Sequence, residues 1–149
     1  MTRLGRVERW AMRTANRVSI QLYRRTGGKV ASSAKGLPVL LITVRGRRTG
    51  RLHTVPVVYL EHDGGLLVFG SAGGASVEPA WFRNVRSSGR VQIEVGQERY
   101  DADADVADDD RRDRLWHDVV LPRAPFFASY QVRAAGRTIP VALLTPVRP

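Results

Sequence analysis

From residue 38 onward, apolar positions fall into short runs broken by glycine, arginine and aspartate, which is the pattern of strands joined by turns rather than of long helices. Pro38-Val-Leu-Leu-Ile-Thr-Val44 is rich in β-branched residues and reads as a buried strand over about 38–45. Thr54-Val-Pro-Val-Val-Tyr-Leu60 predicts a second strand over about 54–61, with Pro56 marking an edge or a bulge. The turn His62-Asp-Gly-Gly65 leads to a third strand over about 66–71, and the three together predict an antiparallel meander. A short helix around Pro79–Arg86 follows, started by Glu78 and Pro79. Ser87-Ser-Gly89 then turns the chain into Arg90–Val95, which alternates apolar and polar, and a hairpin at Gly96-Gln97 leads to Arg99–Val106. Asp108-Asp-Asp110 suits the start of a helix over Arg111–Val120 that buries Leu115, Trp116 and Val119. Two prolines then break the pattern, placing Phe126, Phe127 and Tyr130 on a short helix or loop before a final strand over about 138–145. No helix alternates with the strands as crossovers require, so a Rossmann sheet is excluded.

The N-terminal segment has a different period. Leu4, Val7, Ala11, Ala15, Val18 and Leu22 keep helical spacing over residues 2 to about 25, while Arg6, Arg9, Arg13, Arg17 and Arg24 fall largely elsewhere on the wheel. The preferred reading is a helix that covers the strand-rich remainder of the chain with its apolar face; the other lays that face, with Trp10 and Tyr23, in a lipid headgroup region. The 149 residues fit one domain, read as a basic helix and connecting segment over 1–36 and a strand-rich segment over 37–149.

The net charge is +10, and residues 1–51 hold 13 of the 24 Lys and Arg against one acid, Glu8. Such a local basic field serves nucleic acid, an anionic membrane or an anionic cofactor. No cysteine is present, which excludes disulfides and thiolate metal sites. Scattered histidines make structural zinc an unlikely fit, and the row Asp101, Asp103, Asp105 is extended rather than wrapped in a calcium loop, so no metal is expected. No apolar run approaches the roughly 20 residues of a membrane span, and no leader is evident, so the expected location is cytoplasmic, with contact at the inner membrane face left open.

The chemistry concentrates in two glycine-bounded segments. Arg45-Gly-Arg-Arg-Thr-Gly-Arg51 places four arginines in one turn between strands, where they repel each other unless an external anion sits among them; the bland alternative is a solvated basic hairpin. Leu66–Gly74 runs a strand into a glycine-rich loop, whose amides can line the polar edge of a ligand. The ordered set Gly-Arg-Arg-Thr-Gly at 46–50, Pro56, Ser71-Ala-Gly-Gly74, Pro79-Ala-Trp-Phe-Arg-Asn84 and Arg137-Thr-Ile-Pro140 resembles the deazaflavin-dependent nitroreductase family. The resemblance covers roughly three quarters of the chain and implies a split β-barrel, mainly β with flanking helices, that binds coenzyme F420, a deazaflavin with a phosphate and an oligoglutamate tail.

Carried over by position, the resemblance implies that Arg47, Arg48, Thr49 and Gly50 hold the phosphate and tail. His53 stands where many members have arginine, with Arg51 as its replacement. Tyr59 falls near the expected ring, Ser71, Gly73 and Gly74 in the loop that meets the ring and ribityl chain, and Trp81 and Asn84 on a helix face that closes over the cofactor. Ala72 replaces a common lysine. A family cluster of substrate-site tyrosines corresponds to Ala124, Phe127 and Tyr130, so the acceptor site is expected to be more apolar, with Tyr130 the one phenolic proton donor and a quinone or enone the acceptor. Hydride chemistry resides on the cofactor, so no catalytic triad is required.

Three alternatives remain at this level. An FMN-binding split barrel would use the arginine turn for a single phosphate. A non-catalytic binder would hold lipid or fatty acid in the barrel. Nucleic-acid binding lacks any reader motif or interleaved aromatics. A homodimer is also compatible with the expected fold.

Overall fold

The computed structural model describes the backbone of residues 6–147 and the side chains of residues 11–147. Its elements are α1 (Arg6–Arg25), β1 (Ser33–Ala34), β2 (Leu37–Arg45), β3 (Leu52–Val58), β4 (Leu60–His62), β5 (Gly65–Phe69), α2 (Ala80–Ser88), β6 (Arg90–Val95), β7 (Glu98–Val106), α3 (Asp109–Leu115), α4 (Leu121–Arg123), α5 (Phe127–Arg133) and β8 (Val141–Pro146). A short turn at Ala72–Gly74 follows β5, and a wide helical turn at Trp116–Val120 joins α3 to α4. The sheet is antiparallel, in the order β1-β2-β6-β7-β8-β5-β4, with β3 also paired to β2.

The meander expected from the sequence is corrected at Tyr59. The run read as one strand is two, because β3 pairs along β2 from Val39↔Val58 to Arg45↔Leu52 whereas β4 pairs with β5. At the break, the Tyr59 amide donates to the Pro38 carbonyl (3.0 Å). Strands adjacent in the chain thus lie at opposite ends of the hydrogen-bonded path, which curls the sheet into a half-barrel.

Period-two alternation explains the two cores. On β5, Leu66 and Val68 face a cluster with Leu40, Ile42, Val44, Phe82 and Ile93, while Leu67 and Phe69 face a second cluster with Trp116, Val120, Phe127 and Ile139. On β8, Ala142 and Leu144 join the first cluster and Val141 and Leu143 the second. Burial on both faces is why these strands read as continuous apolar runs. The three aspartates of β7 are exposed, Asp103 pairing with Arg90 and Asp105 with Arg111.

The helix α1 does not cover the barrel with its apolar stripe. Leu4 lies outside the described residues, as do the side chains of Val7 and Trp10. Ala11, Ala15, Val18 and Leu22 are exposed, Val18 at 55% and Leu22 at 42%. The helix instead docks through Ile20 and Tyr23, which pack on Leu41 of β2, roughly 140° round the wheel at about 100° per residue. Polar anchors set that rotation. The Tyr23 hydroxyl accepts from the Gly96 amide (2.8 Å) and donates to the Glu94 carbonyl (3.3 Å), and the Arg24 fork grips both Glu94 carboxylate oxygens (3.0 and 2.9 Å). Arg99 adds a third hydrogen bond to Glu94 (3.2 Å). Burial alone would push the Glu94 carboxyl up, but the bonds from Arg24 and Arg99 outweigh it and hold it below the ordinary glutamate range.

Candidate functional site

The arginine turn divides its labour. Gly46 and Arg51 close it (amide to carbonyl, 2.7 Å), the Gly50 amide returns to the Gly46 carbonyl (2.9 Å), and Gly50 takes φ +73°, a conformation that favours glycine. The Arg45 guanidinium donates to the Gly50 carbonyl (2.7 Å), and the Thr49 hydroxyl accepts from the Arg51 amide (3.3 Å). Arg45, Thr49 and Gly50 therefore shape the loop. Arg47 is fastened to α2, its amide (3.1 Å) and its Nη1 (2.8 Å) both donating to Oδ1 of Asn84, which is only 6% exposed. Arg48 and Arg51 are exposed, and among the described residues none of the four arginines has a carboxylate partner. The exposed His53 ring lies against the buried Gly46, whose hypothetical Cβ would sit 3.0 Å from Nε2.

The loop after β5 is built from left-handed residues. Ala72, Gly73 and Gly74 take φ of +45°, +64° and +87°, directly after Ser71 in the right-handed helical region. Gly73 has open space where a Cβ would point, whereas Gly74 is buried against α5, its hypothetical Cβ 2.7 Å from the Tyr130 carbonyl and 2.8 Å from Arg133 Cβ. The carbonyl side of the loop is occupied by Arg137, which donates to Gly70 (2.9 Å), Ser71 (3.2 Å) and twice to Ala75 (3.1 and 2.9 Å). Burial pulls the Arg137 pKa down, with Glu78 opposing and Arg83 reinforcing the shift.

Beside this loop stands an aromatic group. Phe127 and Ala124 are fully enclosed in the second core cluster, with Phe127 packed on Phe69 (ring centroids 4.6 Å) and Trp116 (5.7 Å). The half-exposed members are Phe126 and Tyr130, set edge to face at 5.4 Å. The Lys35 ammonium lies 5.9 Å from the Phe126 ring centre and 5.5 Å from that of Tyr130, with Arg133 on the Tyr130 ring at 5.8 Å. Behind them, buried Arg112 stacks on Trp116 (4.3 Å) and donates to the Ile139 carbonyl (2.8 Å) and Gln131 Oε1 (2.7 Å). Gln131 also receives the Ile139 amide (3.0 Å) and donates to the Arg137 carbonyl (2.6 Å).

The structure joins Arg47 to Asn84 on α2, and separately joins the Ser71–Gly74 loop to Tyr130 on α5. Trp81 is half-buried against the first cluster and edge-on to Phe82 (5.4 Å). Tyr59 is buried at the β3–β4 break; burial pushes its phenol up, with Tyr23, Glu61 and Tyr100 adding to the shift. Two clefts lie elsewhere, one of about 420 Å³ along Glu61–Leu66 and one of about 520 Å³ between the end of α1 and Glu94–Arg99. Neither is lined by the arginine turn. Sequence reasoning missed Arg112, Gln131 and Lys35, and it marked Arg137 only as part of a motif, without a role. A polar side chain in the sequence names no partner.

Residues 15–146 match the model of the F420H(2)-dependent quinone reductase family. The chain belongs to the F420H(2)-dependent quinone reductase family. An F420H(2)-dependent quinone reductase of Mycobacterium tuberculosis is 30% identical over 146 residues, 93% of this chain and 97% of that one. A second protein of that organism, provisionally named in the same way, is 33% identical over 116 residues, 78% of this chain and 96% of its own. Among solved structures, an F420-H2 dependent reductase aligns with a TM-score of 0.62 at 28% identity, covering 72% of this chain and 93% of that one. A structure described as a domain-swapped dimer aligns at 0.65 and 24% identity, over 91% and 96% of the two chains, and shares the fold. As an F420H(2)-dependent quinone reductase, the chain is an oxidoreductase with coenzyme F420 as cofactor and a quinone-type acceptor, on the split-barrel scaffold. The motif resemblance named the nitroreductase family with F420 as cofactor and a quinone or enone as acceptor; the family match agrees on the redox class, the cofactor and a quinone acceptor, and its family is that of the quinone reductases.

Proposed function

We propose that this reductase binds F420 along the arginine turn and α2, with the anionic tail at Arg47, Arg48 and Arg51, the ring against Ser71–Gly73, and the acceptor on the Phe126–Tyr130 side. The observation that carries the reading is the pair of exposed guanidinium groups at Arg48 and Arg51, without a carboxylate partner among the described residues, beside an Arg47 that Asn84 holds toward α2. That donor set fits a multiply anionic ligand, since guanidinium forks match phosphate and carboxylate oxygens bidentately. When bound, F420 supplies the hydride.

The chain's own residues bind, orient and shield. Thr49, Gly50 and Arg45 preserve the turn, while His53 adds an exposed imidazole to its edge. Gly74 serves by letting α5 approach the loop, and Trp81 and Tyr59 support α2 and the barrel wall. Phe127 and Ala124 act from the core, seating Phe126 and Tyr130, which offer an apolar face to a quinone. The Tyr130 hydroxyl makes no hydrogen bond among the described residues, which leaves it free to donate a proton to a reduced quinone oxygen. The test is a titration of Arg48→Ala/Arg51→Ala against wild type with F420 and with FMN. The double variant should keep its fold and lose F420 affinity at least tenfold. Unchanged affinity, or tight FMN binding with none for F420, overturns the assignment.

The exposed stripe Ala11, Ala15, Val18, Leu22, bordered by Arg25, supports a peripheral contact with anionic lipid. No described helix is long and apolar enough to cross a membrane. Sedimentation with vesicles containing anionic lipid should carry down wild type, and Val18→Asp/Leu22→Asp should abolish it. Equal sedimentation of the variant removes this contact from the reading.

A further inference from the structure

Arg137 has no role in the reading above, yet it makes four hydrogen bonds to the loop that would meet the ring. In a trans peptide the carbonyl and the following amide point in opposite directions, and no cis bond is present among the described residues. Because the Gly70 and Ser71 carbonyls turn toward Arg137, the amides of Ser71 and Ala72 turn away from it. The right-handed to left-handed step from Ser71 to Ala72 gathers such amides into a concave donor edge, the kind that receives anionic or oxygen-rich groups. Gly73 leaves that edge open. Ala72 sits at φ +45°, where side chains are rarely found, so the conformation needs an external hold. The main chain of Arg137 is pinned in turn: Gln131 of α5, next to Tyr130, donates to its carbonyl (2.6 Å).

We propose that Arg137 is a positioning residue for the cofactor: its guanidinium, by occupying the carbonyls of Gly70, Ser71 and Ala75, presents the Ser71–Gly73 amides to the oxygen-bearing edge of the deazaflavin ring. Through Gln131 it also fixes that edge relative to Tyr130. This rests on the placement of F420 proposed above, but the clamp itself can be read without cofactor.

The experiment compares wild type with Arg137→Lys and Arg137→Met. The lysine variant keeps the positive charge but replaces the planar fork, whose three nitrogens reach three carbonyls, with one compact ammonium nitrogen. In the cofactor-free protein, amide hydrogen exchange at Gly74 and Ala75, whose amides bond to Ser71 and Ala72 carbonyls, should speed up at least tenfold in both variants while β2, β6 and β8 keep their protection. F420 titration should show at least a tenfold loss of affinity in both. Unchanged exchange and affinity in both variants overturns the proposal. So does exchange that rises uniformly across the barrel, which would make Arg137 a general stabiliser, and so does full F420 affinity in Arg137→Lys, which would make charge rather than carbonyl geometry the cause. Should wild type bind no F420, the cofactor placement falls with it, and the exchange data alone then decide whether Arg137 shapes the loop.

Discussion

Gly73 and Gly74 look equivalent in sequence, and replacing each with alanine separates two physical roles. At Gly73 the added methyl group meets nothing within 4 Å, so the cost is the left-handed backbone alone, about 1–2 kcal/mol. At Gly74 the same backbone cost applies at φ +87°, and the methyl would lie 2.7 Å from the Tyr130 carbonyl, 2.8 Å from Arg133 Cβ and 3.1 Å from Tyr130 Cα. These are the backbone and Cβ of a helix, which cannot swing aside as a side-chain tip can. Overpacking of this kind adds about 1–3 kcal/mol, for a total of roughly 2–5 kcal/mol. At about 2–4 °C per kcal/mol for a chain of this size, Gly74→Ala should melt roughly 5–20 °C below wild type and Gly73→Ala roughly 2–8 °C below. Near-ultraviolet circular dichroism should report the Phe126, Phe127 and Tyr130 group disturbed in Gly74→Ala and native in Gly73→Ala. Equal melting points with equal aromatic spectra would refute the claim that α5 is seated on Gly74.

Glu94 should give the protein an acid-sensitive step. Its folded pKa is depressed, so its contribution is complete above the ordinary glutamate range and is lost as pH falls through the depressed value. The urea midpoint of wild type should fall as pH drops below the ordinary glutamate range, and Glu94→Gln should flatten that fall while lowering stability at neutral pH; parallel curves would deny Glu94 the role. Tyr130→Phe should lower quinone turnover more than F420 affinity, as measured by single-turnover oxidation of reduced F420, and equal turnover would remove the hydroxyl from the reaction.

The strands on either side of the arginine turn and the exact span of Arg90–Val95 were legible because period-two alternation and glycine punctuation act locally. The break at Tyr59 was not, since Thr54–Leu60 is uniformly apolar and the change of partner depends on strands far along the chain. The rotation of α1 was misjudged for a related reason. Its hydrophobic stripe is real, but Tyr23 and Arg24 bind Glu94 and Gly96, some 70 positions away, and this polar grip decides which face turns inward. At the site, motif order singled out the arginine turn, the glycine loop and the Arg137–Pro140 segment, but the work of Arg137 stayed hidden because its partners are main-chain carbonyls, which carry no residue identity.

Tyr59 carries a mechanical consequence. The turn with its unpaired guanidinium groups hangs from one margin of the curled ribbon, and the loop gripped by Arg137 leaves the strand next to the other margin. One residue joins the two margins, so Val58 and Leu60 lie no more than two Cα spacings apart, about 7 Å, and the ribbon is tied shut at that seam although β3 and β4 take different partners.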